Sequence, residues 1–140
     1  MANDTSDFVR SMSIATSGLR AQAGRMRVIS ENIANADSTA AKAGGDPYRR
    51  KVPTFTQHFD RELGTNIVEL GAVKRDQRPF RTKYDPGNPA ANDKGEVRMP
   101  NVNALIENMD MREAQRSYEA NLNMITSTRR MISRTLEILK

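Results

Sequence analysis

FVRSMSIATSGLRAQAGRMRVISENIANA, residues 8–36, places apolar or small side chains at alternating steps of four and three. Phe8, Met12, Ala15, Leu19, Met26, Ile29, Ile33 and Ala36 fall on that series, and Gln22 is its one polar member. Such steps return to one side of a helix with 3.6 residues per turn, so the pattern predicts a long amphipathic helix. No proline interrupts it, and Arg20, Arg25, Arg27 and Glu31 fill the other face. Ser6 or Asp7 suits a helix start, and Asp37-Ser38-Thr39 suits a stop.

The far end repeats the design. In residues 111–139 the same alternation runs through Met111, Gln115, Tyr118, Leu122, Ile125, Arg129, Ile132, Leu136 and Leu139. Val102, Leu105, Ile106 and Met109 lead into it slightly out of phase, and Pro100-Asn101 reads as the helix-start boundary. Both stripes are heptad-like seams, narrower than the apolar face of an ordinary globular helix. Gln22, Gln115 and Arg129 interrupt them, as snorkelling edge residues or as polar groups that fix register. Small residues such as Ala15, Gly18, Ala23, Ala34, Ala114 and Ala120 would permit close helix approach.

Between the ends the pattern changes. Residues 39–47 read as a flexible loop, Tyr48–Phe59 and Asn66–Lys74 as short strands, and Phe80, Thr82 and Tyr84 as part of a third. Residues 84–95 are turn formers without period. The expected fold is mainly α. Two long amphipathic helices, in segments 1–36 and 101–140, pair as a coiled-coil-like bundle around a small irregular β-containing segment, 37–100.

One such seam against one partner buries too little to offset the ordering of its backbone, and Gly18 and Gly24 weaken the first helix further. Ends that order only on assembly are therefore expected.

Composition narrows the function. The net charge is +5, yet residues 1–36 carry four Arg against three acids, and residues 101–140 carry six basic residues against five acids. The excess lies in the middle, at Arg49-Arg50-Lys51 and from Lys74 to Lys83, without an aromatic platform. A solvated basic face is expected rather than a nucleic-acid surface. There is no Cys, and His58 is the sole His, so thiolate and His/Cys metal sites and Cys–His dyads are excluded. His58 sits in no nucleophile elbow, and Gly44-Gly45 lacks the Lys-Ser/Thr of a phosphate loop. Neither an enzyme nor a bound cofactor is expected. The first residues do not read as a secretory signal, and no window approaches a membrane span.

The segment Gly18–Ser38, with Asn32-Ile-Ala-Asn35 at its core, resembles the N-terminal signature of the bacterial flagellar axial proteins, and Met111–Asn121 resembles their C-terminal one. Pro47-Tyr48-Arg49, Tyr84-Asp-Pro-Gly-Asn-Pro89 and Gly95–Val102 are similar to the proximal-rod branch of that family. Glu96 and Asn88 depart from it, standing where the branch more often has Tyr and His.

The resemblance implies a structural subunit of the basal-body rod, exported by the flagellar type III apparatus and crossing the periplasm. It implies assembly with copies of itself and other rod proteins near the inner-membrane ring, without membrane insertion. The expected interface is Met12, Leu19, Met26, Ile29, Asn32, Ile33 and Asn35 at one end. At the other it is Tyr118, Asn121, Leu122, Ile125, Ile132 and Leu136. A generic coiled-coil adaptor and a basic helical nucleic-acid binder are the competing readings.

Overall fold

The computed structural model describes residues 2–138, with side chains described over 7–138. Helix α1 spans Ala2–Ala34 and helix α2 spans Ala104–Ile138, about 50 Å each at 1.5 Å per residue. Six short strands lie between them: β1 (Lys51–Val52), β2 (Phe55–Asp60), β3 (Thr65–Leu70), β4 (Lys74–Arg75), β5 (Arg81–Tyr84) and β6 (Glu96–Met99). They form three antiparallel two-stranded ribbons, β1–β4, β2–β3 and β5–β6.

The sequence reading is corrected at several boundaries. α1 begins at Ala2 rather than at Ser6 or Asp7. Nothing in Asn3–Asp7 stops a helix, and acids near an N-terminus favour its dipole. Leu139 and the Ser6 side chain lie outside the described residues. The stretch 48–59 is two strands, because Pro53 lacks the N–H a continuing ladder needs. β6 was not expected: it has four residues, alternates polar and apolar, and abuts Pro100.

The start of α2 also moves. Its cap is Asn103, whose Oδ1 accepts from the N–H groups of Leu105 (3.0 Å) and Ile106 (3.3 Å). Asn103→Ala should therefore cost about 1 kcal/mol, read as a lower midpoint in thermal unfolding.

The chain divides into two compact units, each holding part of both helices. The first comprises Met1–Met26, Thr54–Ala72 and Glu113–Lys140. Here the β2–β3 ribbon turns through Arg61–Gly64, with Asp60 Oδ1 accepting from the N–H groups of Glu62 and Leu63. It is tied to α1 by Arg10 Nε donating to Leu63 O (2.8 Å) and by Val68 N–H donating to Ser17 Oγ (3.3 Å). The Leu70 side chain lies so close to Gly24 that an added Cβ would stand 2.8 Å from its Cδ2.

α1 and α2 meet in this unit with antiparallel sense. A Cβ on Gly18 would lie 2.8 Å from Asn121 Nδ2, and Arg25 pairs with Glu113 at 3.2 Å. Ala15, Ala21, Ala114 and Thr128 are buried. Small side chains, not the large apolar ones, thus mark the line of closest approach. Gln22 is half-buried, and its Oε1 is enclosed without a hydrogen-bond partner among the described residues.

The second unit comprises Arg27–Pro53 and Val73–Arg112. Its core gathers Val28, Ile29, Asn32, Ala36, Ala90, Val97, Val102 and Glu107. The stretch 84–95 is an ordered loop closed by its own polar groups. Asn88 Oδ1 accepts from Ala90 N–H, and Asn92 Oδ1 accepts from the N–H groups of Lys94 and Glu96.

Gly95 ends that loop at φ +76°, where a Cβ would stand 2.9 Å from the Tyr84 ring and 3.1 Å from Pro86. Gly95→Ala should cost about 1–2 kcal/mol from the left-handed backbone alone, with the ring clash adding to it. The expected sign is a lowered unfolding midpoint.

Candidate functional site

The motif Asn32-Ile-Ala-Asn35 closes α1, and its two asparagines do different work. Asn35 closes the helix on itself: its Nδ2 donates to Glu31 O at 2.8 Å, adding a second bond to a carbonyl that also accepts from the Asn35 N–H (3.2 Å), while Ser38 Oγ donates to Asn35 O. Asn32 is 0% exposed and makes four hydrogen bonds. Its Nδ2 donates to Lys51 O (2.8 Å) and Glu107 Oε2 (3.0 Å), and its Oδ1 accepts from Lys51 N–H (2.9 Å) and Tyr48 OH (2.9 Å). An amide has this capacity and no more, so the site reads Asn specifically.

Glu107, in the first turn of α2 and also 0% exposed, continues the network. Its Oε1 accepts from Arg50 Nε at 2.5 Å. Arg50 further faces Asp76 (3.7 Å) and Asp110 (3.5 Å), and its N–H donates to Asn101 Oδ1 (2.8 Å). Asn101 Nδ2 in turn donates to the carbonyls of Asp76 and Arg78. A buried carboxylate persists where its charge is paired and its lone pairs are filled, and both conditions hold here.

Side-chain and backbone hydrogen bonds from Arg78 hold the Asp76 carboxyl below the ordinary carboxylate value. Burial, then the charges of Glu31 and Glu107, push the Tyr48 phenol up to about 12, so it stays a neutral donor to Asn32. Together these groups clamp the end of α1, the 46–53 segment, the 76–78 turn and the start of α2.

The basic run Arg49-Arg50-Lys51 is consumed inside the chain. Arg49 donates to the carbonyls of Asp76 and Arg78 and lies 4.2 Å over the Phe80 ring. Arg50 belongs to the clamp, and Lys51 pairs with Glu31. The run therefore offers no free basic surface for a phosphate backbone. His58 faces Glu69 at 3.8 Å on an exposed strand. Among the described residues no group of three metal-ligating side chains forms, and no helix is long and apolar enough to cross a membrane.

The expected interface residues divide into three sets. Ile29 and Asn32 are buried, and Asn32 makes its bonds within the chain. Met12, Leu19, Met26, Ile33, Asn35, Tyr118, Asn121, Ile125 and Ile132 are half-buried. Leu122 (47%) and Leu136 (59%) are exposed, as are Gln115 and Arg129 of the same seam.

Helix geometry organises this. On α2, Glu107, Ala114, Asn121 and Thr128 recur every seven residues and form its most covered line. At 100° per residue, Leu122 and Leu136 lie roughly 50–90° to one side of it. Met124, Met131 and Ile138, missed by the sequence reading, lie roughly 70–110° to the other, and they are 49%, 47% and 84% exposed. Their seven-residue spacing was a legible signal, overshadowed by the stronger Leu/Ile series. In the second unit the α2 residues Leu105 (71%), Ile106 (47%) and Met109 (64%) are likewise uncovered. A monomeric soluble domain rarely leaves apolar side chains recurring along both flanks of a helix, and such surface marks sites of association.

Comparison with known proteins agrees with this geometry. A family described as flagella basal body rod protein matches residues 12–42, and the flagellar basal body rod FlgEFG protein C-terminal family matches residues 94–138. The two matches define a class, flagellar basal-body rod proteins, and cover most of α1, the clamp's helix ends and all of α2. Among relatives, the chain is similar to the flagellar basal-body rod protein FlgC of Agrobacterium fabrum, 52% identical over 91% of each chain. It is also similar to the FlgC proteins of Escherichia coli O6:H1, 38% identical over 89% of this chain and 92% of that one, and of Bacillus subtilis, 37% identical over 93% and 97%. The chain belongs to the FlgC family of flagellar basal-body rod proteins.

Proposed function

We propose that the chain is a structural subunit of the proximal rod, built into it through the uncovered faces of α1 and α2 and carrying torque from motor to hook. The observation that carries this is the distribution of apolar surface on α2. Its covered line is small and polar, while Leu122 and Leu136 on one flank and Met124, Met131 and Ile138 on the other await partners. A helix with three working sides suits a tube wall, where each subunit touches several neighbours and load is shared among many contacts.

In this reading α1 and α2 of one chain pair antiparallel, and neighbours' helices complete a coiled-coil-like bundle on the Met12–Leu19–Met26–Ile33 stripe and the two flanks of α2. The clamp fixes Asn32 at the end of α1 to Glu107 at the start of α2 and leaves the assembly faces free. With so few large side chains covered, the ends of a free chain are held weakly and open at low cost. That suits passage through the flagellar type III export channel and suppresses polymerisation before delivery. The partners are other copies and other rod proteins, close to the inner-membrane ring and export apparatus.

A tagged chain expressed in a strain lacking its own gene tests this. The tag should be recovered in isolated basal bodies and swimming should return. Swimming restored with the chain confined to the cytoplasm would overturn the reading.

A further inference from the structure

The ribbons leave strand edges open, and two of them are complementary. The β2–β3 ladder pairs Phe55 with Leu70 through Asp60 with Thr65, and Gly71 N–H donates to Thr54 O at 2.7 Å. Bonded and non-bonded pairs alternate in an antiparallel ladder, so residues 54, 56, 58 and 60 bond inward. The N–H and C=O groups of Phe55, Gln57 and Phe59 then point away from β3, on the outer edge of β2. All three residues are exposed, Phe55 at 43% and Phe59 at 59%. No Lys or Pro blunts this edge, unlike a strand guarded against pairing. The opposite edge of the ribbon is engaged, since Val68 N–H bonds Ser17.

β5 offers a counterpart. Among the described residues it pairs only with β6, and Asp85 N–H donates to Gly95 O (2.9 Å), so residues 81, 83 and 85 bond inward. Thr82 and Tyr84 present their backbone groups outward, all four β5 side chains are exposed, and Tyr84 is 73% exposed. Charge distinguishes the two edges. Residues 55–70 hold three carboxylates (Asp60, Glu62, Glu69) against one guanidinium (Arg61), whereas β5 carries Arg81 and Lys83 with no acid.

We propose that the outer edge of β2 receives β5 of a second copy as an added strand. The outward residues of both strands are spaced by two, so Thr82 and Tyr84 can each meet an outward residue of β2, with Tyr84 beside Phe55 or Phe59. Pairing β2 with β2 would instead bring together two ribbons that are each net negative over residues 55–70. Because the two edges differ, the contact is heterologous, and each pairing uses the β2 edge of one copy and the β5 edge of another. Repeated in one sense from copy to copy, such a contact builds an open filament wherever its rotation does not close. The polymer it would extend is the rod of the preceding section, and in that respect the inference rests on that reading.

The chain has no cysteine, so introduced thiols report pairing directly. Gln57→Cys, Thr82→Cys and the double variant should each be expressed as the only copy, and isolated basal bodies oxidised with copper-phenanthroline. The double variant should give a ladder of covalent dimers and higher multimers of this chain, and neither single variant should give dimers. A dimer from Gln57→Cys alone would overturn the proposal in favour of β2–β2 pairing, and one from Thr82→Cys alone in favour of β5–β5 pairing. If the double variant is present in basal bodies of swimming cells and forms no ladder, the edge pairing is wrong and the rod assignment stands. If the unmodified chain never reaches basal bodies, it is the rod assignment that fails.

Discussion

Asn32→Ala is expected to lower stability by about 3–5 kcal/mol, a shift of roughly 10 °C or more in the unfolding midpoint for a chain of this size. The substitution removes one side chain but leaves four groups without it: Lys51 N–H and C=O, the Tyr48 hydroxyl and Glu107 Oε2. Each buried polar group stripped of a partner costs about 1–3 kcal/mol, with entering water recovering part of the sum. Asn32→Asp should do no better, although it preserves shape. A carboxylate oxygen would then face Lys51 O and Glu107 where a donor is needed. Glu107→Ala attacks the same network from α2 and leaves Arg50, with its side chain 16% exposed, without its shortest contact. Removing one partner of such a buried pair typically costs about 3–5 kcal/mol. Thermal or urea unfolding of the three variants checks this, and a loss below about 1 kcal/mol for Asn32→Ala would show that the clamp is not what holds the helix ends.

The second large effect falls on assembly and spares the fold. Leu122→Asp and Met131→Asp lie on opposite flanks of α2, each 47% exposed in the chain. Surface changes of this kind move stability by roughly 0.5 kcal/mol or less, so the purified variants should unfold near the wild-type midpoint. In an assembled rod the same carboxylate would be enclosed among apolar side chains without a partner, which costs several kcal/mol per subunit. Both variants should be exported, absent from basal bodies and unable to support swimming. Normal motility from Leu122→Asp would remove that flank from the assembly surface; normal motility from Met131→Asp would remove the other.

How much of this could be read from the sequence depended on the length scale of each feature. The helices were legible because apolar residues recur at steps of three and four over 29 residues at each end. The line along which the helices approach was not. Periodicity selects the largest apolar side chains, such as Leu19 and Leu122, whereas close approach selects the smallest, such as Gly18 and Ala114. The contact face is therefore rotated away from the seam that hydrophobicity picks out.

The clamp was hidden for a different reason. Asn32 stood out within a motif, but its partners lie 16, 19 and 75 residues away, and no local pattern couples positions so distant. Arg49-Arg50-Lys51 looked like a solvated basic face because charge in sequence does not reveal that Glu31, Asp76 and Glu107 converge on it. Asn101 was read as a helix cap because Pro100 precedes it, and the cap proved to be Asn103 because the Asn101 side chain bridges Arg50 to the 76–78 turn.

The central claim is that α2 carries apolar flanks left open in the single chain and closed by neighbours. Methionine oxidation measures this directly, because Met109, Met124 and Met131 are 64%, 49% and 47% exposed on those surfaces. Brief peroxide treatment of the purified chain and of intact basal bodies, followed by peptide mass spectrometry, gives the reactivity of each thioether in both states. The account predicts rapid oxidation of all three in the free chain and strong protection of Met124 and Met131 in the assembled rod. Equal reactivity of Met124 and Met131 in the two states would contradict it.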